Sequence, residues 1–207
     1  MKEQSGSFIV PLLARLFNAM KYVSILELVR CIFGVWRSYR AVERFVLCWL
    51  GVELLFLGLL FGFPAISNRL IFFIPVILLL ILRLLDLLQV SFNVLLFDRI
   101  RAGRDYKIAS PTRLLVLNII NYMELAVIFG VIGFLVRNSF HPEFQSVWHS
   151  LYYSISVVTT LGLSVELVAW QSRVMFLSEI TLGLVFILLI IGRAISLLPP
   201  VKTIDEF

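Results

Sequence analysis

Four long apolar segments constrain this chain more than any other feature of its sequence. They are residues Phe45–Phe63, Leu70–Phe97, Leu114–Val136 and Val174–Leu198. A helix needs about 20 apolar residues to cross the hydrocarbon core of a bilayer, and each segment meets that length. The 207 residues are 60% hydrophobic and 15% charged, far from the composition of a soluble domain. The sequence therefore predicts an all-α integral membrane protein with four transmembrane helices.

The basic residues predict which side of the membrane each connection faces. Residues 98–113 hold five basic side chains against two acidic ones, and the segment before the first span is also basic. Basic connections stay on the cytoplasmic side, so both termini are expected in the cytoplasm of a plasma (inner) membrane protein. The net charge is +5, and the basic residues that produce it lie beside the apolar spans without aromatic residues between them. We therefore expect contacts with anionic lipid headgroups and none with nucleic acid.

The segment before the first span permits two interpretations. Residues 8–36 carry apolar side chains at helical spacing, which is typical of a helix lying in the membrane interface and also of a helix that docks on the rest of the protein. Cys31 and Cys48 are too few for a disulfide framework or a metal site. We expect both to be buried small residues.

Polar side chains inside the spans are candidates for function or for packing. Arg83 and Asp86 stand three residues apart in the second span, where they could pair, and Gln89 continues their face. A neutralised structural pair is the alternative to a functional one. Asn118, Asn121 and Glu124 share one sector of the third span, where they could bond neighbouring helices or line a crevice.

A distinctive run, Tyr152–Ser164 (YYSISVVTTLGLS), lies between the third and fourth spans. It ends a short amphipathic segment, 144–158, which we predict to be a helix. A dehydrated cation needs oxygens in place of its water, and backbone carbonyls with the Thr160 hydroxyl can supply them. Gly162 permits a positive φ, and irregular backbone is tolerated at membrane depth only inside protein or beside water. The run predicts a re-entrant pore helix and filter loop.

This run, with Trp170–Gly183 after it, resembles the pore loop and inner helix of the potassium channel superfamily, whose typical filter sequence is TTVGYGD. The text here is TTLGLSV. The resemblance implies a filter whose oxygens meet a permeating K⁺ or Na⁺, formed by Thr160, Leu161, Gly162, Leu163 and Ser164. It implies filter support from Tyr152, Tyr153, Thr159, Glu166 and Glu179. It also places Gly183 at the hinge of the inner helix.

Several positions depart from the family pattern or have two interpretations. Leu163 replaces the usual tyrosine and Ser164 the second glycine, so we expect altered potassium selectivity. Glu166 would form an acidic ring at the pore mouth or stand as a solvated loop residue. Glu179 would brace the filter, face the cavity or bond a neighbouring span. Gly183 would serve as a gating hinge or only let helices approach.

One chain supplies one pore loop and a pore needs four, so we expect a homotetramer. The predicted parts are an interfacial or cytoplasmic segment at 1–44, two spans and a basic loop at 45–113, a pore domain at 114–198 and a short cytoplasmic tail at 199–207. The expected function is a tetrameric cation channel without a cofactor. The alternative is a nonconducting regulatory subunit or a channel-like effector that depolarises the membrane. An enzyme is not expected, because neither His141 nor His149 lies inside a span.

Overall fold

The computed structural model describes residues 12, 15 and 19 and the ranges 39–92, 111–162 and 165–197. The helices are α1 (Tyr39–Gly62), α2 (Leu70–Phe92), α3 (Pro111–Leu135), α4 (Val147–Val158) and α5 (Trp170–Ser196). Two short strands, β1 (Phe140–His141) and β2 (Glu166–Leu167), and two 3-10 turns, Pro64–Asn68 and Arg137–Ser139, complete the described elements.

Four of these helices are long and apolar enough to cross a membrane, as predicted. The qualifying stretches are Ala41–Gly62, Leu70–Ser91, Thr112–Leu135 and Trp170–Ile195. Helix ends differ from the predicted spans by a few residues, since capping and turn residues extend helices beyond their apolar windows. The predictions for residues 8–36, Cys31 and the connection 98–110 fall outside the described residues, apart from residues 12, 15 and 19. The prediction for Cys48 is wrong, because this side chain is exposed on α1.

Helix α3 is the centre of the fold. It contacts each of the other four helices and is the most buried of the four long ones. The apolar side chains of α3 lie on all of its sides, and those of Val116, Ile119 and Met123 are exposed. Its fully or almost fully buried members include Leu125, Ile128, Val131 and Phe134. The faces of α1, α2 and α5 that point away from α3 keep large apolar side chains exposed, as lipid contact requires.

The two strands bring the ends of the α4 segment together. β1 and β2 are antiparallel, with Phe140 opposite Leu167 and His141 opposite Glu166. The backbone N–H groups of Val168 and Ala169 also donate to the Ser139 carbonyl. The chain therefore leaves the end of α3, passes through α4 and a turn, and returns to the point where it left.

Arg137 fastens this same end of α3 to the turn between α1 and α2. Its guanidinium donates to Ser67 Oγ at 2.7 Å, to Asn68 Oδ1 at 3.1 Å and to Glu143 Oε1 at 3.0 Å. It also lies 4.8 Å from the ring centroid of Phe134. One side chain thus joins the end of α3 to a turn 70 residues away and to Glu143, six residues further along the chain.

A buried group of charges joins α1, α2 and α3. Arg83 forms its ion pair with Glu124 of α3, whereas the sequence pointed to Asp86 on its own helix. Asp86 is also fully buried. Glu53 of α1 lies beside Glu124, and neither of its carboxyl oxygens meets a donor among the described residues. Of the polar sector predicted on α3, Asn121 and Glu124 are buried, which favours packing over a crevice.

Candidate functional site

Three regularly spaced hydrogen bonds fix α4 against α3. Ser150 Oγ donates to the Gly130 carbonyl (2.7 Å), Ser154 Oγ to the Ala126 carbonyl (2.8 Å) and the Tyr122 hydroxyl to the Val158 carbonyl (3.0 Å). Each step of four residues forward along α3 matches a step of four back along α4. The two helices therefore run antiparallel, and the last turn of α4 lies level with the middle of α3.

Two glycines of α3 allow α4 to approach this closely. A Cβ added to Gly133 would lie 2.6 Å from Ser150 Oγ and 3.0 Å from Met175 Cε, and one added to Gly130 would lie 3.0 Å from Leu151 Cδ1. Small residues at helix interfaces are the usual means of close packing in membranes. Neither glycine was predicted from the sequence to be a contact point, although two glycines three residues apart in an apolar span are a usable signal of close helix packing.

The helix α4 begins later than predicted and ends where predicted. It starts at Val147 instead of Phe144, because the Ser146 side chain accepts a hydrogen bond from the His149 N–H and caps the helix. At its other end, Thr159 Oγ1 donates to the Ile155 carbonyl at 2.6 Å. The helix between Ser146 and Thr159 has twelve residues.

The turn after α4 has an unusual backbone. Thr160 has a φ of 62° and Gly162 a φ of 116°, with Leu161 between them. A positive φ is ordinary for glycine and strained for a β-branched residue such as threonine. The Leu161 N–H donates to the Ser156 carbonyl at 2.8 Å, which holds the turn on the helix, while the Leu161 side chain is 80% exposed. Leu163 and Ser164 lie outside the described residues.

The helix α5 packs on the end of α4 at Gly183. A Cβ at Gly183 would lie 3.2 Å from the Val158 carbonyl oxygen and 3.4 Å from Val158 Cα. Gly183 therefore lets α5 approach α4 closely, which was one of the two interpretations of this residue. The Val158 carbonyl is enclosed between the Tyr122 hydroxyl on one side and Gly183 on the other.

The two tyrosines of α4 have opposite environments. Tyr153 is fully buried, with its ring centroid 5.2 Å from Phe140 and 5.4 Å from Phe144. These three rings anchor α4 to β1 and to the segment that follows it. Tyr152 is exposed and shares its side of α4 with the exposed side chains of Trp148 and Ile155.

The two acidic residues predicted to support the filter also differ. Glu179 of α5 is fully buried and contacts Ser154 of α4, so it links these two helices. The second oxygen of Glu179 and the Tyr153 hydroxyl have no hydrogen-bond partner among the described residues. Glu166 is exposed in β2, opposite His141, and is not brought near Glu179 by any described contact.

The described residues contain no group of three or more His, Cys, Asp or Glu side chains placed to hold a metal ion. The polar atoms that converge are instead hydroxyls, backbone carbonyls and one carboxyl group around α4. No family model, curated protein or solved structure matches this chain. The resemblance to the potassium channel superfamily therefore stays a prediction from the residues of the 152–164 run, and no family is assigned.

Proposed function

We propose that this protein is a subunit of a tetrameric, potassium-channel-type cation channel that conducts monovalent cations, with reduced selectivity for potassium. One observation carries the proposal. A short helix, α4, is docked antiparallel on α3 and leads into a turn with positive φ at Thr160 and Gly162, and the chain then returns to its starting point through β1 and β2.

The dimensions of α4 favour a re-entrant segment. Its twelve residues rise about 18 Å, which is too short to cross a hydrocarbon core of about 30 Å. Its last turn lies level with the middle of α3, which is itself long enough to cross. A segment that enters from one side, turns at mid-membrane and leaves on the same side accounts for both facts. Residues 160–164 are then the filter loop.

The chemistry of the turn suits a cation. The C-terminal end of a helix carries a partial negative charge, and α4 directs that end into the turn. Backbone carbonyls from Thr160 onward and the Thr160 hydroxyl are hard oxygen ligands for K⁺ or Na⁺. Leu163 cannot supply the phenolic hydroxyl expected at its position, and Ser164 has a Cβ where glycine is usual. These two departures are the reason for proposing reduced selectivity.

One chain forms only one wall of such a pore, so the proposal requires four copies around a common axis. The exposed side of α4, with Trp148, Tyr152 and Ile155, offers each copy an apolar surface for its neighbour. Both termini and the basic connection 98–113 would face the cytoplasm and contact anionic lipid headgroups of the plasma (inner) membrane. Gly183 would bend α5 during gating. No cofactor, catalysis or nucleic-acid binding is part of the proposal.

The test is the reversal potential of the purified protein in planar bilayers, with potassium on one side and sodium on the other. Gly162→Ala is the test variant, because its φ of 116° strains any side chain. Gly58→Ala is the matched control, because a Cβ there meets nothing within 4 Å. We expect current that Gly58→Ala preserves and Gly162→Ala abolishes or alters.

The outcome also distinguishes the alternatives. A reversal potential between zero and the potassium equilibrium potential supports a channel of reduced selectivity, and a value at the potassium potential means that Leu163 and Ser164 leave the filter selective. Absence of current from a protein that native mass spectrometry shows to be a tetramer would replace the proposal with a nonconducting regulatory subunit. Current that is unchanged by Gly162→Ala would reject this turn as the filter.

A further inference from the structure

The hydroxyl of Ser154 has two oxygen neighbours and only one hydrogen. Its Oγ lies 2.8 Å from the Ala126 carbonyl oxygen on α3 and within hydrogen-bond distance of Glu179 Oε1 on α5. A serine hydroxyl donates one hydrogen bond and accepts others. It cannot donate to both neighbours with good geometry at each. One of the two contacts therefore needs a hydrogen that the neighbouring residue supplies to Ser154 Oγ.

Only Glu179 can supply that hydrogen. The Ala126 carbonyl is an acceptor in every state, whereas a carboxyl group becomes a donor when it is protonated. If Glu179 donates to Ser154, the Ser154 hydrogen is free to point at Ala126, and all three oxygens are satisfied. If Glu179 were ionised, two of these oxygens would face each other without a hydrogen between them.

The surroundings of Glu179 agree with this assignment. Its side chain is fully buried within α5, one of the four membrane-crossing helices. The described ion pairs are Arg83–Glu124, Arg113–Glu43 and Arg137–Glu143, so none of them neutralises Glu179. Among the described residues, the titratable group that interacts with Glu179 is Tyr153 of α4, which is not a cation. An ionised carboxylate without a counter-ion is expensive at membrane depth.

We propose that Glu179 is a neutral carboxylic acid that donates to Ser154, which in turn donates to the Ala126 carbonyl. This relay ties α5, α4 and α3 together at one level and makes Glu179 a positioning residue for α4. Its effect on ion conduction rests on the proposed function, since α4 carries the turn at 159–162. The protonation state itself is a property of the folded chain whether or not it conducts.

Infrared spectroscopy of the full chain in lipid bilayers at neutral pH tests the proton directly. We expect the difference spectrum between the unmodified protein and Glu179→Gln to contain a carbonyl band of a protonated carboxylic acid that shifts in D₂O. Ser154→Ala should move this band, because the acid then loses its acceptor. A difference spectrum with carboxylate bands and no acid band would overturn the proposal.

A pair of variants at the same position gives a second, independent readout. Glutamine keeps a donor that can reach Ser154, whereas leucine fills the space with no donor. We expect Glu179→Gln to unfold near the temperature of the unmodified protein and Glu179→Leu to unfold at a clearly lower one. An equal fall in unfolding temperature for both variants would contradict the relay. An acid band in a protein that passes no current would reject the channel and leave this inference standing.

Discussion

Arg83 and Glu124 form a two-point ion pair between α2 and α3, with both side chains almost fully shielded from solvent. The Arg83 Nη2 donates to Glu124 Oε2 at 2.9 Å and its Nε donates to Oε1. The guanidinium also lies 5.4 Å from the ring centroid of Phe45 and 5.7 Å from that of Trp49. Planar two-point pairing with a carboxylate is a property of arginine that lysine lacks, and arginine is also the more frequent partner of aromatic faces. The pair therefore fixes α2 and α3 in one relative position.

We predict that the same Glu→Gln substitution has different effects at the two buried glutamates, Glu124 and Glu53. Glu124→Gln removes the charge that Arg83 needs and should lower the free energy of unfolding by about 3–5 kcal/mol. Glu53→Gln should change it little, because no described donor bonds either Glu53 carboxyl oxygen. Thermal and chemical unfolding in detergent micelles measures both. Similar losses for the two variants would mean that Glu53 shares the role of Glu124.

Helix docking at Gly133 gives a second prediction. Gly133→Ala places a Cβ 2.6 Å from Ser150 Oγ and should displace the hydrogen bond from Ser150 to Gly130. We expect a loss of about 1–3 kcal/mol in unfolding free energy, the range for overpacked interiors. Gly58→Ala, in open space on α1, is the control and should be neutral. An unaffected Gly133→Ala would show that α4 and α3 can separate without loss.

The Tyr122 hydroxyl gives a third prediction. It bonds the Val158 carbonyl, one of the last-turn carbonyls that have no partner within their own helix. Tyr122→Phe should lower the free energy of unfolding by about 0.5–1.5 kcal/mol. Tyr152→Phe, at an exposed position of α4, is the control for folding. If the channel proposal holds, Tyr122→Phe should also shift the reversal potential, because the proposed filter loop begins two residues after Val158.

A fourth prediction concerns Arg137 at the other end of α3. Arg137→Gln removes contacts with Ser67, Asn68 and Glu143 and should lower the free energy of unfolding by about 1.5–3 kcal/mol. Arg69→Gln, at an exposed position in the same region, should have little effect. Comparing both variants in low and high salt separates the exposed Glu143 contact, which salt weakens, from the bonds to neutral groups.

The sequence predicted the helices, which depend on the length and hydropathy of continuous segments. The four helices that are long and apolar enough to cross a membrane follow from apolar runs, and the short helix before Thr159 follows from its amphipathic pattern. The position of α3 at the centre was not predicted, because apolar content alone cannot separate a helix that faces lipid from one that faces other helices. The exposure of Cys48 is an instance of the same ambiguity.

The contacts that hold the candidate site were harder to predict, since they join residues distant in sequence. The partner of Arg83 lies 41 residues away, and local spacing pointed to Asp86 instead. Ser150 and Ser154 were not singled out, because serines that bond backbone carbonyls leave no partner side chain to recognise in the sequence. The sequence indicated Gly162 as a position of backbone freedom. Nothing in the sequence indicated that Thr160 has a positive φ.

The matched spacing of four residues along α3 and α4 has a consequence for how this protein can vary. Inserting or deleting one residue between Tyr122 and Gly130, or between Ser150 and Val158, would rotate the rest of that helix by about 100° and take a donor away from its acceptor. Replacing Ala126 by another small residue would leave its carbonyl in place. Natural variation in these two stretches should therefore preserve the number of residues and the side-chain donors, and should be freer at positions such as Ala126 that supply only a backbone carbonyl.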